Sequence, residues 1–284
     1  MSGGSLDSGP LASGKGHRDE NFPVASFVLK PQHRAPIMAF YRFARAADDV
    51  ADHPTADAAT RLAELSAMRA GLAGDPAGAA EALALRDAMA VRGLDRVHAN
   101  DLLTAFERDV TVNRYADWAA LMDYCRYSAA PVGRYVLDVH DEDRAVWPAN
   151  DALCAALQVI NHLQDCGKDY RAIGRVYVPA DALAEHGARI EDLGADRASP
   201  ALRATIVTLA VRTRALLEQS AGFAAMIRDR RLAAEVAAIH RLAMSLVDRL
   251  ERCDPLSERV HHGKAEAAFI AARAALPVLF RRAA

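Results

Sequence analysis

Residues 39–54 read AFYRFARAADDVADHP, and the spacing of their polar and apolar side chains predicts an amphipathic helix. At about 100° per residue, four polar side chains fall within an arc of about 60° on that helix. They are Tyr41, Arg45, Asp48 and Asp52. Asp49 lies off this face. Carboxylates one helical turn apart, next to an arginine, are typical of a site that binds a cation or a phosphate.

A second polar stripe occurs in residues 158–170, which read QVINHLQDCGKDY. Four of its side chains fall within an arc of about 80° on a helix. They are Gln158, Asn161, Asp165 and Asp169. The surrounding positions are apolar, so the stripe interrupts an otherwise hydrophobic helix, and polar groups that turn inward need partners.

The two stripes together predict a magnesium site. Carboxylate and amide oxygens are ligands that Mg²⁺ prefers, and two helices facing each other can clamp metal ions between their carboxylates. Mg²⁺ would neutralise the charge that develops on a departing diphosphate. Arg45 and Lys168 would hold the outer phosphate oxygens directly.

A solvated helix face is the alternative explanation for either stripe taken alone, because short D-x-x-x-D matches also arise by chance. A third match, Asp192 to Asp196, lies in a loop-like stretch with a glycine and has no further polar residues in phase. We interpret this third match as a chance occurrence.

The rest of the sequence predicts a single all-α domain over residues 21–284, preceded by a disordered segment over residues 1–20. The first segment is rich in Ser and Gly, whereas the remainder has helical spacing and no convincing strand pairs. Three long helices are expected over residues 117–139, 150–170 and 199–229, with Asn150 and Ser199 as N-caps. The first of these should be kinked near Pro131 and Gly133.

The composition excludes several classes of protein. Lys plus Arg (35) nearly balances Asp plus Glu (37), which gives no indication of a nucleic-acid partner. The four cysteines form no C-x-x-C pair, so neither a cysteine zinc site nor a disulfide scaffold is expected. No stretch reaches the roughly 18 apolar residues of a membrane span, and no signal peptide is recognisable. We therefore expect a cytoplasmic protein, with at most transient contact with a membrane surface through Arg281 and Arg282. A plain charged tail is the alternative interpretation of these two arginines.

The polar segments resemble the two aspartate-rich motifs of the squalene/phytoene synthase family. The resembling stretches are AFYRFARAADDVAD and NHLQDCGKDYRAIGRVYVP, and YCRYSAAPVGRYV (124–136) resembles the tyrosine-rich helix that lines the substrate cavity of that family. The resemblance covers roughly residues 20–265. It implies an isoprenoid-synthase-type helical bundle around a central cavity, with Mg²⁺ as the cofactor. Ser128 and Ala130 stand where relatives often carry valine and glycine, and this departure concerns the shape of the cavity.

Within the family, the wording GKGHRDENFPVAS and FYRFARAADDVADHP looks most like the hydroxysqualene synthases of bacterial hopanoid biosynthesis. That resemblance implies a lyase that ionises presqualene diphosphate, rearranges the cation and captures water to give hydroxysqualene and diphosphate. The alternative within the family is head-to-head condensation of two prenyl diphosphates, such as farnesyl diphosphate, to presqualene diphosphate, squalene or phytoene. An inactive assembly or lipid-binding protein of the same fold is a further alternative, and the intact aspartate motifs argue against it.

The resemblance also implies roles for individual residues. The metal ligands would be Asp48, Asp52, Asn161 and Asp165. The catalytic residues would be Asp48, Asp52, Asp165, Asp169 and Tyr41. The residues that bind the substrate would be Arg18, Asp19, Glu20, Asn21, Phe22, Tyr41, Arg45, Tyr127, Gln158, Gln164, Lys168, Arg171, Arg175 and Tyr177.

Overall fold

A computed structural model describes residues 30–280 of the chain. Within these residues the regular structure is helical, apart from an isolated parallel bridge between Arg114 and Val176. This confirms the predicted all-α class. The chain divides into two compact units, whose described residues are Arg34–Thr111 for the first and 30–33 together with 112–280 for the second. The predicted disordered segment 1–20 lies outside the described residues, and the predicted domain 21–284 stays a prediction.

The first unit contains four helices, the first of which begins shortly before it. They are α1 (Pro31–Ala51), α2 (Ala58–Ala73), α3 (Ala80–Ala90) and α4 (Val97–Thr111). Leucines from three of these helices fill its core, and Leu65, Leu85 and Leu103 have no exposed surface. Arg69 joins α2 to α4, because its Nη2 lies 2.9 Å from Glu107 Oε1.

The second unit contains the remaining eight α-helices of the described residues. They are α5 (Trp118–Ser128), α6 (Ala130–Val139), α7 (Trp147–Ile173), α8 (Ala180–Glu185), α9 (Pro200–Gln219), α10 (Phe223–Met226), α11 (Arg230–Leu250) and α12 (Lys264–Leu279). Short 3₁₀ turns occur at Arg144–Val146 and Ile190–Gly194. None of the helices within residues 30–280 has both the length and the hydropathy that crossing a membrane requires.

Three predicted helix bounds differ from the structure. The helix expected over 117–139 is two helices, since the chain breaks at Ala129, and Pro131 in the first turn of α6 cannot donate a backbone hydrogen bond to the preceding turn. Asn150 is not an N-cap: α7 begins at Trp147, directly after a 3₁₀ turn. The expected Ser199 cap is confirmed, because its Oγ accepts from Leu202 N at 3.2 Å. The helix that it caps ends at Gln219 rather than near residue 229.

The close packing of α6 on α7 depends on Gly133. A Cβ atom at this position would lie 2.0 Å from Asn150 Oδ1 and 2.7 Å from Cys154 Sγ. No side chain larger than hydrogen fits there. Arg134, the next residue, donates from Nε to Asp151 Oδ1 at 2.9 Å and so ties the same two helices together. These contacts fix the amino-terminal half of α7, whose carboxy-terminal half carries the second polar stripe.

Candidate active site

The first polar stripe lies on a helix whose opposite face is fully buried. Phe40, Phe43 and Ala47 are at most 3% exposed, and they follow one another at helical spacing along α1. Burying this apolar face leaves the other side of α1 to the polar residues. The predicted orientation of the stripe therefore follows from burial of the apolar face.

Arg45 organises the carboxylates of this stripe. Its Nη1 lies 3.0 Å from Asp48 Oδ2, and its Nη2 lies 3.0 Å from Asp49 Oδ1. The Asp48 side chain is 38% exposed and that of Asp49 only 12%. Asp49, placed off the face by the sequence analysis, is thus the second acceptor of the arginine. The i, i+4 spacing from Arg45 is the signal that could have identified it.

Asp52 lies in the turn that follows α1. Its backbone N–H donates to the Asp48 carbonyl at 2.9 Å, so the helical path continues to this residue. Arg61 donates to the carbonyl of Ala51 at 2.8 Å, and His53 Nδ1 accepts from the N–H of Ala56 at 3.0 Å. The carbonyls at the end of α1 are therefore partly satisfied by side chains, and the position of Asp52 is defined.

The second polar stripe lies on α7. Val159, Ile160 and Leu163 on the same helix are at most 2% exposed. The Asp165 side chain is 40% exposed, and Lys168 Nζ lies 3.8 Å from its Oδ1. Because both charged groups remain in contact with water, their ion pair is weak. Each group can therefore leave the other and bind a ligand at a small cost in free energy.

Gly167 packs the opposite side of α7 closely. A Cβ on this residue would lie 3.2 Å from the carbonyl oxygen of Leu193, in the 3₁₀ turn Ile190–Gly194. The glycine within the second motif is therefore a packing requirement. The Gly167 side of α7 packs against the turn Ile190–Gly194. At about 100° per residue, Asp165 and Asp169 lie on the other side of the helix.

A cluster of buried aromatic rings adjoins the second stripe. The His162 and Tyr177 rings stack with centroids 3.5 Å apart and an interplanar angle of 14°. The rings of Tyr115 and Tyr124 lie 5.6 and 5.5 Å from Tyr177. His162 Nε2 also lies 3.1 Å from Gln158 Nε2, which links the cluster to the stripe. All four rings are less than 10% exposed.

Burial determines the charge of His162. Loss of hydration, together with the positive charge of Arg175, lowers the pKa of this imidazole to about 3. The ring is therefore neutral at physiological pH. Three phenol rings and a neutral imidazole supply electron-rich faces of the kind that attract cations. The buried guanidinium of Arg175 lies beside the cluster, with its Nη1 3.3 Å from the hydroxyl oxygen of Tyr177.

The cluster is assembled by two segments that run side by side. The N–H of Val176 donates to the Asn113 carbonyl at 3.1 Å, and the N–H of Ala180 donates to the Tyr115 carbonyl at 3.0 Å. This pairing brings Tyr115 to Tyr177. Tyr115 could not be identified from the sequence because this pairing joins distant parts of the chain. His162 lies one position off the second polar stripe, so the spacing did not identify it either.

Several predicted substrate residues have internal partners in the second unit. Gln164 is buried, and its amide donates to the carbonyl of Val260. Arg171 donates to the Ala195 carbonyl at 3.3 Å. Arg175 is buried and its Nη1 lies 3.3 Å from the hydroxyl oxygen of Tyr177. The roles of these residues toward a substrate stay predictions.

Tyr127 is half-buried, with the guanidinium of Arg126 5.0 Å from its ring centroid. Tyr41 is also half-buried on α1. The remaining predicted substrate residues lie outside the described residues. They are Arg18, Asp19, Glu20, Asn21 and Phe22.

The donor chemistry of each stripe fits a hard divalent cation. Asp48 and Asp52 offer carboxylate oxygens on α1, and Asn161 and Asp165 offer an amide oxygen and a carboxylate on α7. These four candidate ligands contain no thiolate and no imidazole. Oxygen donors of this kind suit Mg²⁺ rather than Zn²⁺.

Comparison with known proteins gives consistent results. The sequence profile of the squalene/phytoene synthase family matches residues 16–266. The hydroxysqualene synthase of Zymomonas mobilis subsp. mobilis is 58% identical over 272 residues, which cover 94% of this chain and 92% of that protein. The hydroxysqualene synthase of Rhodopseudomonas palustris is 55% identical, covering 88% and 86%. The crystal structure of squalene synthase HpnC from Alicyclobacillus acidocaldarius superposes with a TM-score of 0.71 at 33% identity, covering 81% and 87%.

Proposed function

The chain belongs to the squalene/phytoene synthase family, and from this premise we propose that it is a hydroxysqualene synthase that converts presqualene diphosphate and water into hydroxysqualene and diphosphate. The carbon–oxygen bond to the diphosphate breaks, and the leaving group takes the electron pair. The cyclopropylcarbinyl cation rearranges. Water adds to the rearranged cation and loses a proton. The observation that carries the proposal is the 58% identity to a hydroxysqualene synthase over 94% of the chain.

The aspartate stripes would serve the ionisation step. Asp48 and Asp52 on α1, and Asn161 and Asp165 on α7, would be the ligands of Mg²⁺. When bound, this cofactor neutralises charge on the diphosphate. Arg45 is already oriented by two carboxylates 3.0 Å away, so little side-chain freedom remains to be lost when it meets a phosphate oxygen. Lys168 is 67% exposed and would add a second positive charge from the surface of α7.

The aromatic cluster would serve the cation that remains. Tyr115, Tyr124 and Tyr177 present ring faces within 6 Å of one another, and such faces stabilise positive charge. His162 supports this role because its imidazole is neutral and does not repel a cation. Tyr41 and Tyr127, both half-buried, are further candidates.

Helix α12 would contact a membrane surface. Phe269, Leu276 and Phe280 are 66%, 48% and 77% exposed and fall on one side of this helix at helical spacing, with Arg273 among them. The proposed substrate and product are long hydrocarbons that dissolve in lipid. An apolar stripe with a basic residue is the composition that binds at the surface of a bilayer.

The decisive experiment compares two substrates. Purified protein is incubated with Mg²⁺ and either presqualene diphosphate or farnesyl diphosphate, and the products are separated by chromatography and mass spectrometry. We expect hydroxysqualene from presqualene diphosphate and no turnover of farnesyl diphosphate alone. Conversion of farnesyl diphosphate would instead assign the chain to the condensing enzymes of the family.

A further inference from the structure

We propose that His33, His140 and Asp229 form a binding site for a transition-metal ion of the zinc class, separate from the aspartate stripes. The three residues come from three parts of the second unit: the first turn of α1, the end of α6 and the residue that caps α11. One possible ligand atom of each lies within 4.8 Å of the others. Both histidines are buried, at 5% and 9% exposure.

His140 has the arrangement typical of a metal ligand. Its Nδ1 lies 2.8 Å from the carbonyl oxygen of Val136, a partner to which only a protonated nitrogen can donate. That hydrogen bond fixes the tautomer and leaves Nε2 as the coordinating nitrogen. The ring centroid of His33 lies 4.1 Å from that of His140, with an interplanar angle of 32°, so the two imidazoles are already in contact.

Asp229 is held as a carboxylate with one oxygen directed away from its helix. Its Oδ1 accepts from the N–H groups of Arg231 at 2.9 Å and Leu232 at 3.3 Å, capping α11. Its Oδ2 lies 2.7 Å from Lys30 Nζ. Lys30 therefore already places a positive charge beside the Asp229 carboxylate.

A second carboxylate, that of Glu142, binds the backbone next to the proposed site. The Glu142 side chain is 1% exposed and accepts from the backbone N–H of Arg228 at 2.9 Å and of Asp229 at 2.7 Å. These bonds fix the backbone that positions Asp229.

The ligand set defines the class of ion. Two imidazole nitrogens and one carboxylate, with a water molecule in the fourth position, suit Zn²⁺ and Co²⁺. The oxygen-only aspartate stripes suit Mg²⁺ instead. Lys30 is 48% exposed, so its ammonium can swing into water when a metal ion takes its place at Asp229. The sequence did not predict this site because its ligands have no local spacing.

The test is a titration of the full-length protein, freed of metal by a chelator, with Co²⁺ in the presence of excess Mg²⁺. We expect visible absorption bands of four-coordinate Co²⁺ that disappear when one equivalent of Zn²⁺ is added. H33Q and H140Q should each weaken Co²⁺ binding at least about tenfold. K30A should strengthen it, because a competing charge is removed. H186Q is the matched control, since this half-buried histidine is bonded to Thr208 Oγ1 at 2.7 Å and lies outside the cluster.

Absence of the bands in wild-type protein would overturn the proposal, as would equal binding by H33Q and wild type. The far-UV circular dichroism of each variant is recorded alongside. If H140Q loses its helical signal, H33Q and K30A still decide the outcome, since His33 lies in the first turn of α1 and Lys30 directly precedes that helix. The readout is spectroscopic, so it is independent of the proposed enzymatic activity.

Discussion

Replacing Asp48 by Asn should separate catalysis from stability. The Arg45–Asp48 ion pair joins side chains that are 22% and 38% exposed, and a pair of this kind contributes at most about 1 kcal/mol. Arg45 also keeps its bond to Asp49 at 3.0 Å in the variant. In a protein of this size, a loss of 1 kcal/mol lowers Tm by about 2–4 °C. The fold should therefore be almost unaffected.

Turnover should respond far more strongly. Loss of a residue that merely supports a metal ligand costs about 10- to 100-fold, so loss of a proposed ligand charge should cost at least about 100-fold. That factor corresponds to about 2.7 kcal/mol in the activation free energy. The assay is diphosphate release from presqualene diphosphate at several Mg²⁺ concentrations, with Tm measured by calorimetry on the same preparations. Excess Mg²⁺ should restore part of the activity.

Asp248 provides the matched control. It lies 2.7 Å from Arg214, the two side chains are 44% and 25% exposed, and Arg214 also binds Glu251, as Arg45 binds a second carboxylate. D248N should show a similar small change in Tm and full turnover. If D48N keeps turnover within twofold of wild type, the proposed metal role of Asp48 is wrong. A loss of helicity in D48N that is absent in D248N would contradict the stability argument.

Three further outcomes are expected. G133A should destabilise the protein by about 1–3 kcal/mol in urea unfolding, because the added Cβ overlaps Asn150. G222A, where no neighbouring atom lies within 4 Å, should change stability by less than about 0.5 kcal/mol. The pKa of His162 is about 3 in the folded protein, against 6.5 for an ordinary histidine. The stability that this neutral residue contributes is therefore complete above pH 6.5. It falls by about 1.4 kcal/mol for each pH unit as the pH drops toward 3. H162F should have a shallower fall in stability between pH 7 and pH 5, and an unchanged slope would refute the assignment. F269S should reduce sedimentation with liposomes of anionic lipid while leaving helicity intact, since Phe269 is 66% exposed.

Capping and spacing patterns in the sequence predicted the features that depend on residues within a single helix. The cap at Ser199 and the polar faces of α1 and α7 depend on residues within one or two turns of each other, and the structure has them where the sequence indicated. The bounds of α7 were wrong by three residues at each end, because Asn150 is a good N-cap residue that tertiary packing buries instead, at 2% exposure. Propensity is a weak signal when packing favours another arrangement.

Contacts between distant segments could not be predicted in this way. The stacking of Tyr115 on Tyr177 depends on backbone hydrogen bonds between residues 113–116 and 176–181. Neither segment has a sequence pattern that predicts its pairing with the other. Gly133 was predicted as a kink, whereas its function is to let α6 approach α7. The sequence alone does not show whether a glycine permits a kink or a close helix contact. The two roles are distinguished by the atoms that a Cβ at that position would meet.

The polar stripes and the aromatic cluster serve different steps of the proposed reaction. The stripes carry charge and remain partly exposed, with Asp48 and Asp165 at 38% and 40%, so ions and diphosphate can reach them from water. The cluster is nearly dry, and burial lowers the pKa of its imidazole to about 3, so the ring is neutral at physiological pH. Ionisation requires that the negative charge developing on the leaving group be neutralised, while a carbocation survives only where no strong nucleophile is adjacent. Gln158 Nε2 lies 3.1 Å from His162 Nε2 and so connects the charged stripe of α7 to the aromatic cluster within about one helical turn.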